Sequence, residues 1–313
     1  VIRLPWLALF VAACGADDAT NPAVDAPAAP DAAPAADARD LDAAAACASP
    51  DDCAWIDDEL RTVVAVLAGA EPAAPGVTLT RRSSPTQRAQ TRDYLTGRLR
   101  RLGLEPVARD YGTGQNLVVR LEPTEAGPSG PPIVVGAHFD SVPASPAAAD
   151  NATGTALVVV AAGYLAGRPR RHPIELVFFD QEEIGLIGSG AYVAALVGSP
   201  VRSMHNFDML SMDGDGDRVL ELWSPAPALE ALYRRHATAR GFGVSPVAFT
   251  RSDHQSFVER GLPAIGVSEE FVGGDHTVHY HQPTDTLDKI DFSFLGGATR
   301  LALAAIEDDA NAP

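Results

Sequence analysis

Lysine is nearly missing from this chain, with Lys289 the single example, and its 24 basic residues are outnumbered by 41 acidic ones. A formal charge of −17 leaves no broad positive surface, which excludes a nucleic-acid partner whose phosphates need neutralising. Part of the acidity has a functional explanation, because carboxylates that hold divalent cations add to the formal negative charge. Cysteine is scarce too. Of the three, Cys47 and Cys53 have no histidine or third cysteine close by in sequence, so these two do not make a zinc site. Long apolar runs are also missing: the stretch Leu4 to Ala13, broken by Pro5, has about ten residues against the ~20 that a bilayer-spanning helix needs. What is present is 313 residues with 46% hydrophobic side chains, enough for one large α/β domain with a buried core.

Arg3 supplies a short positive region ahead of the apolar stretch, and residues 1–13 read as a signal peptide. The stretch ends in Val11-Ala12-Ala13-Cys14-Gly15, which resembles the lipobox of bacterial lipoproteins, where the cysteine is lipidated and becomes the mature N-terminus. An ordinary secretory signal cut near Ala13 is the alternative. Both readings export the protein, either anchored to the cell envelope through Cys14 alone or secreted. Residues 14–52 are dominated by Ala, Pro and Asp with no apolar periodicity. Such a segment buries too little surface to offset chain entropy, and reads as an extended, disordered tether. In an oxidising setting Cys47 and Cys53 are expected to close a small disulfide loop, two free thiols being the alternative. The folded domain is expected over residues 53–309.

Thr86 to Leu102 has the period of an amphipathic helix, with Tyr94, Leu95, Leu99 and Leu102 near one face. Extended runs follow at Val107–Tyr111, Asn116–Leu121 and Pro132–Ala137. Beyond them strand-like segments (Ile174–Phe179, His205–Met209, Ala264–Val267) alternate with helix-like ones (Thr155–Ala166, Gly190–Val197, Ala228–Arg240, Phe294–Ile306). Continuous apolar strands between helices imply a three-layer α/β domain whose mixed sheet is largely parallel at its centre. Sheets of this kind place ligands at the carboxyl ends of their strands.

The polar clusters fall at those ends. His138-Phe139-Asp140 follows one strand, Asp150-Asn151-Ala152 opens the next helix, and Asp180-Gln181-Glu182-Glu183 terminates another strand. Asp208 ends the run Asn206–Leu210, and His281 sits in a loop. Any one of these has a bland reading as a surface pair or solvated face. Together they supply imidazole and carboxylate, the ligands zinc accepts. Five such groups can hold two ions if one carboxylate bridges them, and ions about 3.5–4 Å apart can clamp a carbonyl during hydrolysis.

His138-Phe139-Asp140-Ser141, Asp150-Asn151-Ala152-Thr153-Gly154, Glu182-Glu183, Asn206-Phe207-Asp208-Met209, Ser252-Asp253-His254 and Tyr280-His281-Gln282-Pro283-Thr284-Asp285-Thr286-Leu287 resemble, as an ordered set, the M28 family of zinc aminopeptidases. The resemblance covers roughly Gln87 to Ile306. It implies a phosphorylase/hydrolase-like aminopeptidase fold with two zinc ions, and peptide or protein N-termini as substrate. His138 and Asp208 would bind one zinc, Glu183 and His281 the other, with Asp150 bridging. Asp140 would orient the His138 ring, Glu182 would be the general base, and Tyr280 would hydrogen-bond the developing oxyanion.

Other features are discounted. Asp213-Gly214-Asp215-Gly216-Asp217 lacks the glycine and the acidic residue that a calcium-binding EF-hand needs at positions six and twelve, and reads as a hairpin turn between strands, a weak calcium site of another kind being the alternative. His276 and His279 read as cleft lining or surface. Asn151-Ala152-Thr153 is a glycosylation sequon in form only, since a glycan there would block the cleft. Three rivals are weighed. A related zinc peptidase class carries a large lid for which the span from Asp208 to His281 is too short. A glutaminyl cyclase shares the fold but uses one zinc and has a different sequence after the bridging aspartate. A non-catalytic ectodomain would be expected to have lost metal ligands, and here each is present. Loops Phe249–Ser256 and Glu269–His279 are expected to build the side-chain pocket, and a monomer is the default state.

Overall fold

The computed structural model describes residues 47–125, 130–196, 198 and 200–313. The expected signal peptide, Cys14 and the tether up to residue 46 lie outside the described residues. Cys47 and Cys53 are joined by a disulfide with Cα atoms 5.3 Å apart, around a short 3-10 turn at Pro50–Asp52. Both cysteines pack into the core.

Eight strands are formed: β1 (Val107–Asp110), β2 (Gln115–Leu121), β3 (Ile133–His138), β4 (Ile174–Phe179), β5 (Ser203–Phe207), β6 (Val219–Trp223), β7 (Gly243–Val247) and β8 (Ala264–Ser268). They make one sheet in the order β1-β2-β4-β3-β5-β8-β6-β7. The central four, β4-β3-β5-β8, are mutually parallel, while β1 and β2 continue one side antiparallel and β6 pairs antiparallel with β8 on the other. Side chains alternate across these strands. Ile174, Leu176 and Phe178 of β4 face one core, and Val177 and Phe179 face the other. Helices α1 (Trp55–Leu67), α2 (Pro85–Arg101), α3 (Thr153–Ala166), α5 (Pro227–Arg240) and α7 (Phe292–Asn311) pack on the first face. Helices α4 (Ile187–Ala195) and α6 (His254–Glu259) pack on the second. Both faces of the sheet are covered, as continuous apolar strands require.

Local chemistry explains the elements that frame the site. Ser84 caps α2 by accepting from Gln87 N at 3.2 Å, with Pro85 at the first helical position. Helix α3 is buried from Thr153 to Leu165, which is why its sequence is apolar on all sides. Its first turn presses against the end of β5: a Cβ on Gly154 would lie 2.3 Å from the Phe207 carbonyl and 2.4 Å from Asn151 Oδ1, so only glycine fits.

One expectation is corrected. The Asp213–Asp217 segment is no hairpin turn, because it leads from β5 to β6 and β8 lies between those two strands. It is a crossover loop over the site end of the sheet, tied down where Asp275 Oδ2 accepts from Gly214 N at 2.7 Å and Asp215 N at 3.2 Å. Helix α1, strands β6 and β7 and helix α6 were not among the expected elements.

Candidate metal centre

Strand order brings the polar clusters together. Because β3 lies between β4 and β5, its last residue, His138, has Glu182 and Glu183 beyond the end of one neighbour and Asp208 beyond the end of the other. The turn at residues 148–152, between β3 and α3, presents Asp150, and the loop after β8 brings in His281. The backbone is bent to do this: Gln181, Met209 and His281 adopt positive φ angles of 65°, 59° and 58°. Non-glycine residues in this region cost on the order of 1 kcal/mol each, and here they sit beside Glu182, beside Asp208 and at His281 itself.

His138 Nε2 lies 3.3 Å from Asp150 Oδ1 and 3.4 Å from Asp208 Oδ1. His281 Nε2 lies 3.0 Å from Asp150 Oδ2 and 3.1 Å from Glu183 Oε2. One carboxylate thus offers an oxygen to each imidazole. Yet Asp208 Oδ1 and His281 Nε2 are both buried without a hydrogen bond, so close approach leaves their bonding capacity unused. Two groups present ligand atoms mutually within 4.8 Å: His138 with Asp150 and Glu183, and His138 with Glu182 and Asp208. The residues fit a metal centre on this geometry and on their donor chemistry.

Electrostatics agree with the geometry. Burial works against a charged His281, but Asp150 and Glu183 outweigh it and hold its pKa up to about 10. Burial likewise opposes charge on His138, and Glu182 and Asp208 outweigh it in the same sense. Burial, reinforced by Asp150, pushes Glu183 up to about 7. Glu182 is raised well above its ordinary value by burial and by the carboxylates of Asp253, Asp208 and Glu183. A site that draws in protons this strongly is one whose carboxylates call for positive charge.

Neighbouring residues fix the ligands. Asp140 approaches His138 Nδ1 at 3.5 Å and accepts from Glu182 N at 3.0 Å and Glu183 N at 3.3 Å, so it orders the Glu-Glu turn as well as facing the ring. Ser252 donates to Asp208 Oδ2 at 2.6 Å while accepting from Asn206 Nδ2 at 2.7 Å. Asp285 accepts from Ala149 N at 2.8 Å and Asp150 N at 3.3 Å, setting the Asp150 turn. Tyr280 stacks on His281 with ring centroids 3.8 Å apart and meets the edge of Phe271 at 5.1 Å. Trp223, Phe249 and Phe271 form an aromatic wall on the same cleft as Asp150, Glu182 and Asp208. Two buried carboxylates anchor that loop region: Glu221 accepts from Val272 N, Gly273 N and Trp223 Nε1, and Glu269 accepts from Ser211 and Thr277 N.

The profile of Peptidase family M28 matches residues 116–306, well over half of the chain and all of the ligand-bearing segments. The chain belongs to peptidase family M28. Among its relatives, a probable lipoprotein aminopeptidase (LpqL) of Mycobacterium tuberculosis is 31% identical over 55% of this chain and 41% of its own length. The zinc aminopeptidase BSAP from Bacillus subtilis is 27% identical, with a TM-score of 0.59 over 64% of this chain and 51% of its own. This chain therefore spans about half, or less, of these two proteins. The glutaminyl cyclase of Porphyromonas gingivalis shares the fold, at 19% identity and a TM-score of 0.64 over 80% of this chain and 98% of its own.

The structure brings the eight candidate residues together in or beside one cleft: His138, Asp140, Asp150, Glu182, Glu183, Asp208, Tyr280 and His281. Glu182 presents a carboxylate oxygen within 4.8 Å of ligand atoms of both His138 and Asp208. Ser252 and Asp285 had no assigned role, although both stand inside quoted motifs. Arg82, described below, carried no signal at all.

Proposed function

We propose that the chain is an exported di-zinc aminopeptidase that hydrolyses the first peptide bond of peptide and protein N-termini. The observation that carries this reading is the Asp150 carboxylate, whose two oxygens face the Nε2 atoms of His138 and His281 at 3.3 and 3.0 Å. That arrangement suits two cations sharing one carboxylate, with His138 and Asp208 completing one site and Glu183 and His281 the other. When bound, the metals supply Lewis acidity to a water and to the scissile carbonyl.

The chain's own residues do the rest. Glu182 takes a proton from the attacking water and delivers it to the nitrogen as the C–N bond breaks, releasing a free amine and a carboxylate. Its burial among other carboxylates raises its affinity for that proton. Asp140 holds the turn that places Glu182 and Glu183. Burial, with Asp150 and Asp208 nearby, keeps the Tyr280 hydroxyl protonated and able to donate to the oxygen that becomes negative. The wall of Trp223, Phe249 and Phe271 favours an apolar side chain on the N-terminal residue.

The test is hydrolysis of aminoacyl-p-nitroanilides by the purified protein. Activity abolished by a chelator and restored by zinc is expected, with leucine or phenylalanine preferred over aspartate. The fold shared with a glutaminyl cyclase supports one other reading. Conversion of N-terminal glutamine to pyroglutamate, without cleavage of any p-nitroanilide, would establish that activity in place of the first. Export with lipidation at Cys14 belongs to the same proposal, supported by the lipobox-like segment and the similarity to a protein named a lipoprotein aminopeptidase. Cys14→Ala is expected to move the protein from the membrane to the soluble fraction on cell fractionation.

A further inference from the structure

Arg82 is a fully buried arginine. Among the described residues no carboxylate comes within ion-pair distance of it, although the chain is strongly acidic. Its guanidinium is held by backbone carbonyls instead. Nε donates to Phe139 O at 2.7 Å, one Nη donates to Leu67 O and to Pro146 O at 2.9 Å, and the other donates to Ala147 O at 3.0 Å. Its backbone N donates to Ser141 Oγ at 2.8 Å. Phe139 stands between His138 and Asp140, and Pro146 and Ala147 lead into the turn that carries Asp150. A single cation thus ties both ligand-bearing segments to the end of α1 from behind the metal centre. Burial pulls its pKa down to about 10, and Asp285, Asp140, Asp150 and Glu183 are the charges that pull it back. It stays charged at neutral pH, inside the field of the carboxylates around the site. Arg82 also lies outside the span that matches the family profile.

A buried charge is costly unless it is paired and hydrogen-bonded, and the carbonyls around Arg82 supply the hydrogen bonds but not the opposite charge. We propose that Arg82 is a positioning residue whose fixed positive charge balances the ligand carboxylates, stabilising the metal-free fold and lowering the site's affinity for zinc. The inference rests on the metal-centre reading above. A fixed cation near the site repels an incoming divalent ion, and it relieves repulsion among Asp140, Asp150, Glu183 and Asp285 when only protons are available. A purely structural staple would do neither, because its loss would weaken metal-free and metal-loaded protein alike.

The experiment compares wild type, Arg82→Met and Arg82→Lys by thermal unfolding with and without zinc, and by zinc affinity in competition with a chromogenic chelator. In Arg82→Met the metal-free midpoint is expected to fall much further than the zinc-loaded one, and zinc to bind on the order of tenfold more tightly. Arg82→Lys, which keeps the charge but loses the planar fork, is expected to keep wild-type zinc affinity even if both midpoints fall. Equal losses in the two forms of Arg82→Met, or weaker zinc binding, would overturn the proposal. Should Arg82→Met fold in neither form, Arg82→Lys decides: a tenfold change in its zinc affinity would overturn it, and an unchanged affinity supports it. A wild type that binds no zinc would instead sink the metal-centre reading itself.

Discussion

At the scale of single residues, the site divides into groups that act and groups that hold them. Glu182 is assigned the proton transfer. Glu182→Gln is expected to leave the unfolding midpoint and zinc content near wild type while lowering kcat by roughly 10²–10⁴; near-normal turnover would remove Glu182 as the base. Ser252 holds Asp208 through a 2.6 Å hydrogen bond and is itself fixed by Asn206. Ser252→Ala is expected to lower zinc affinity about 10- to 100-fold with little effect on the fold, read by chelator competition. The two classes differed in how far the sequence disclosed them. Metal-ligand chemistry admits few residue types, so His138, Asp150, Glu183, Asp208 and His281, lying after or between apolar strands, could be singled out as candidates. Ser252, Asp285 and Arg82 bond to a ligand's far oxygen or to backbone atoms distant in sequence. Nothing in their spacing announces such partners.

At the scale of elements, hydrophobic period located most of the helices and strands, because burial acts on each element separately. The Leu95, Leu99 and Leu102 stripe of α2 and the wholly apolar α3 are buried as their patterns require. Helix α1 was missed although Ile56, Leu60, Val63, Val64 and Leu67 repeat at helical spacing; it lies next to a low-complexity stretch whose composition obscured the boundary. Strand order was not legible. Whether β5 pairs with β6 or with β8 is decided by packing across the whole sheet, so the Asp213–Asp217 loop was misread as a hairpin. The C-terminal helix α7 shows how elements are locked together. Asp309 accepts from Arg202 Nε at 3.0 Å and from Ser203 Oγ, and lies 3.2 Å from His205 Nε2. Burial works against its charge, but His205, Ser203 and Arg202 outweigh it and hold its carboxyl well below the ordinary 3.8. A carboxyl depressed on folding stabilises above its unfolded pKa and loses that contribution as pH falls through its folded one. Asp309→Asn is therefore expected to cost about 1–3 kcal/mol at pH 7, with the difference from wild type shrinking below pH 3.8 in denaturation curves. A difference independent of pH would contradict this account of α7 docking.

At the scale of the whole molecule, a chain with a net charge of −17 gathers carboxylates at one end of the parallel centre of its sheet, where burial among them raises the proton affinity of Glu182 and Glu183. Zinc must displace those protons. With His281 held up to about 10 and Glu183 up to about 7, zinc uptake at neutral pH is expected to release protons, and affinity is expected to rise with pH from 6 to 8. Calorimetric titration in buffers of different ionisation enthalpy reads the proton count; uptake without proton release would mean that the ligands are not these groups. The most direct test of the central claim, a two-metal centre bridged by Asp150, is a count of zinc per chain in wild type and in Asp150→Asn after loading and desalting. Two zinc ions per wild-type chain and the loss of both from Asp150→Asn are predicted. One zinc per wild-type chain, or two still tightly held by Asp150→Asn, would contradict the bridge and the mechanism built on it.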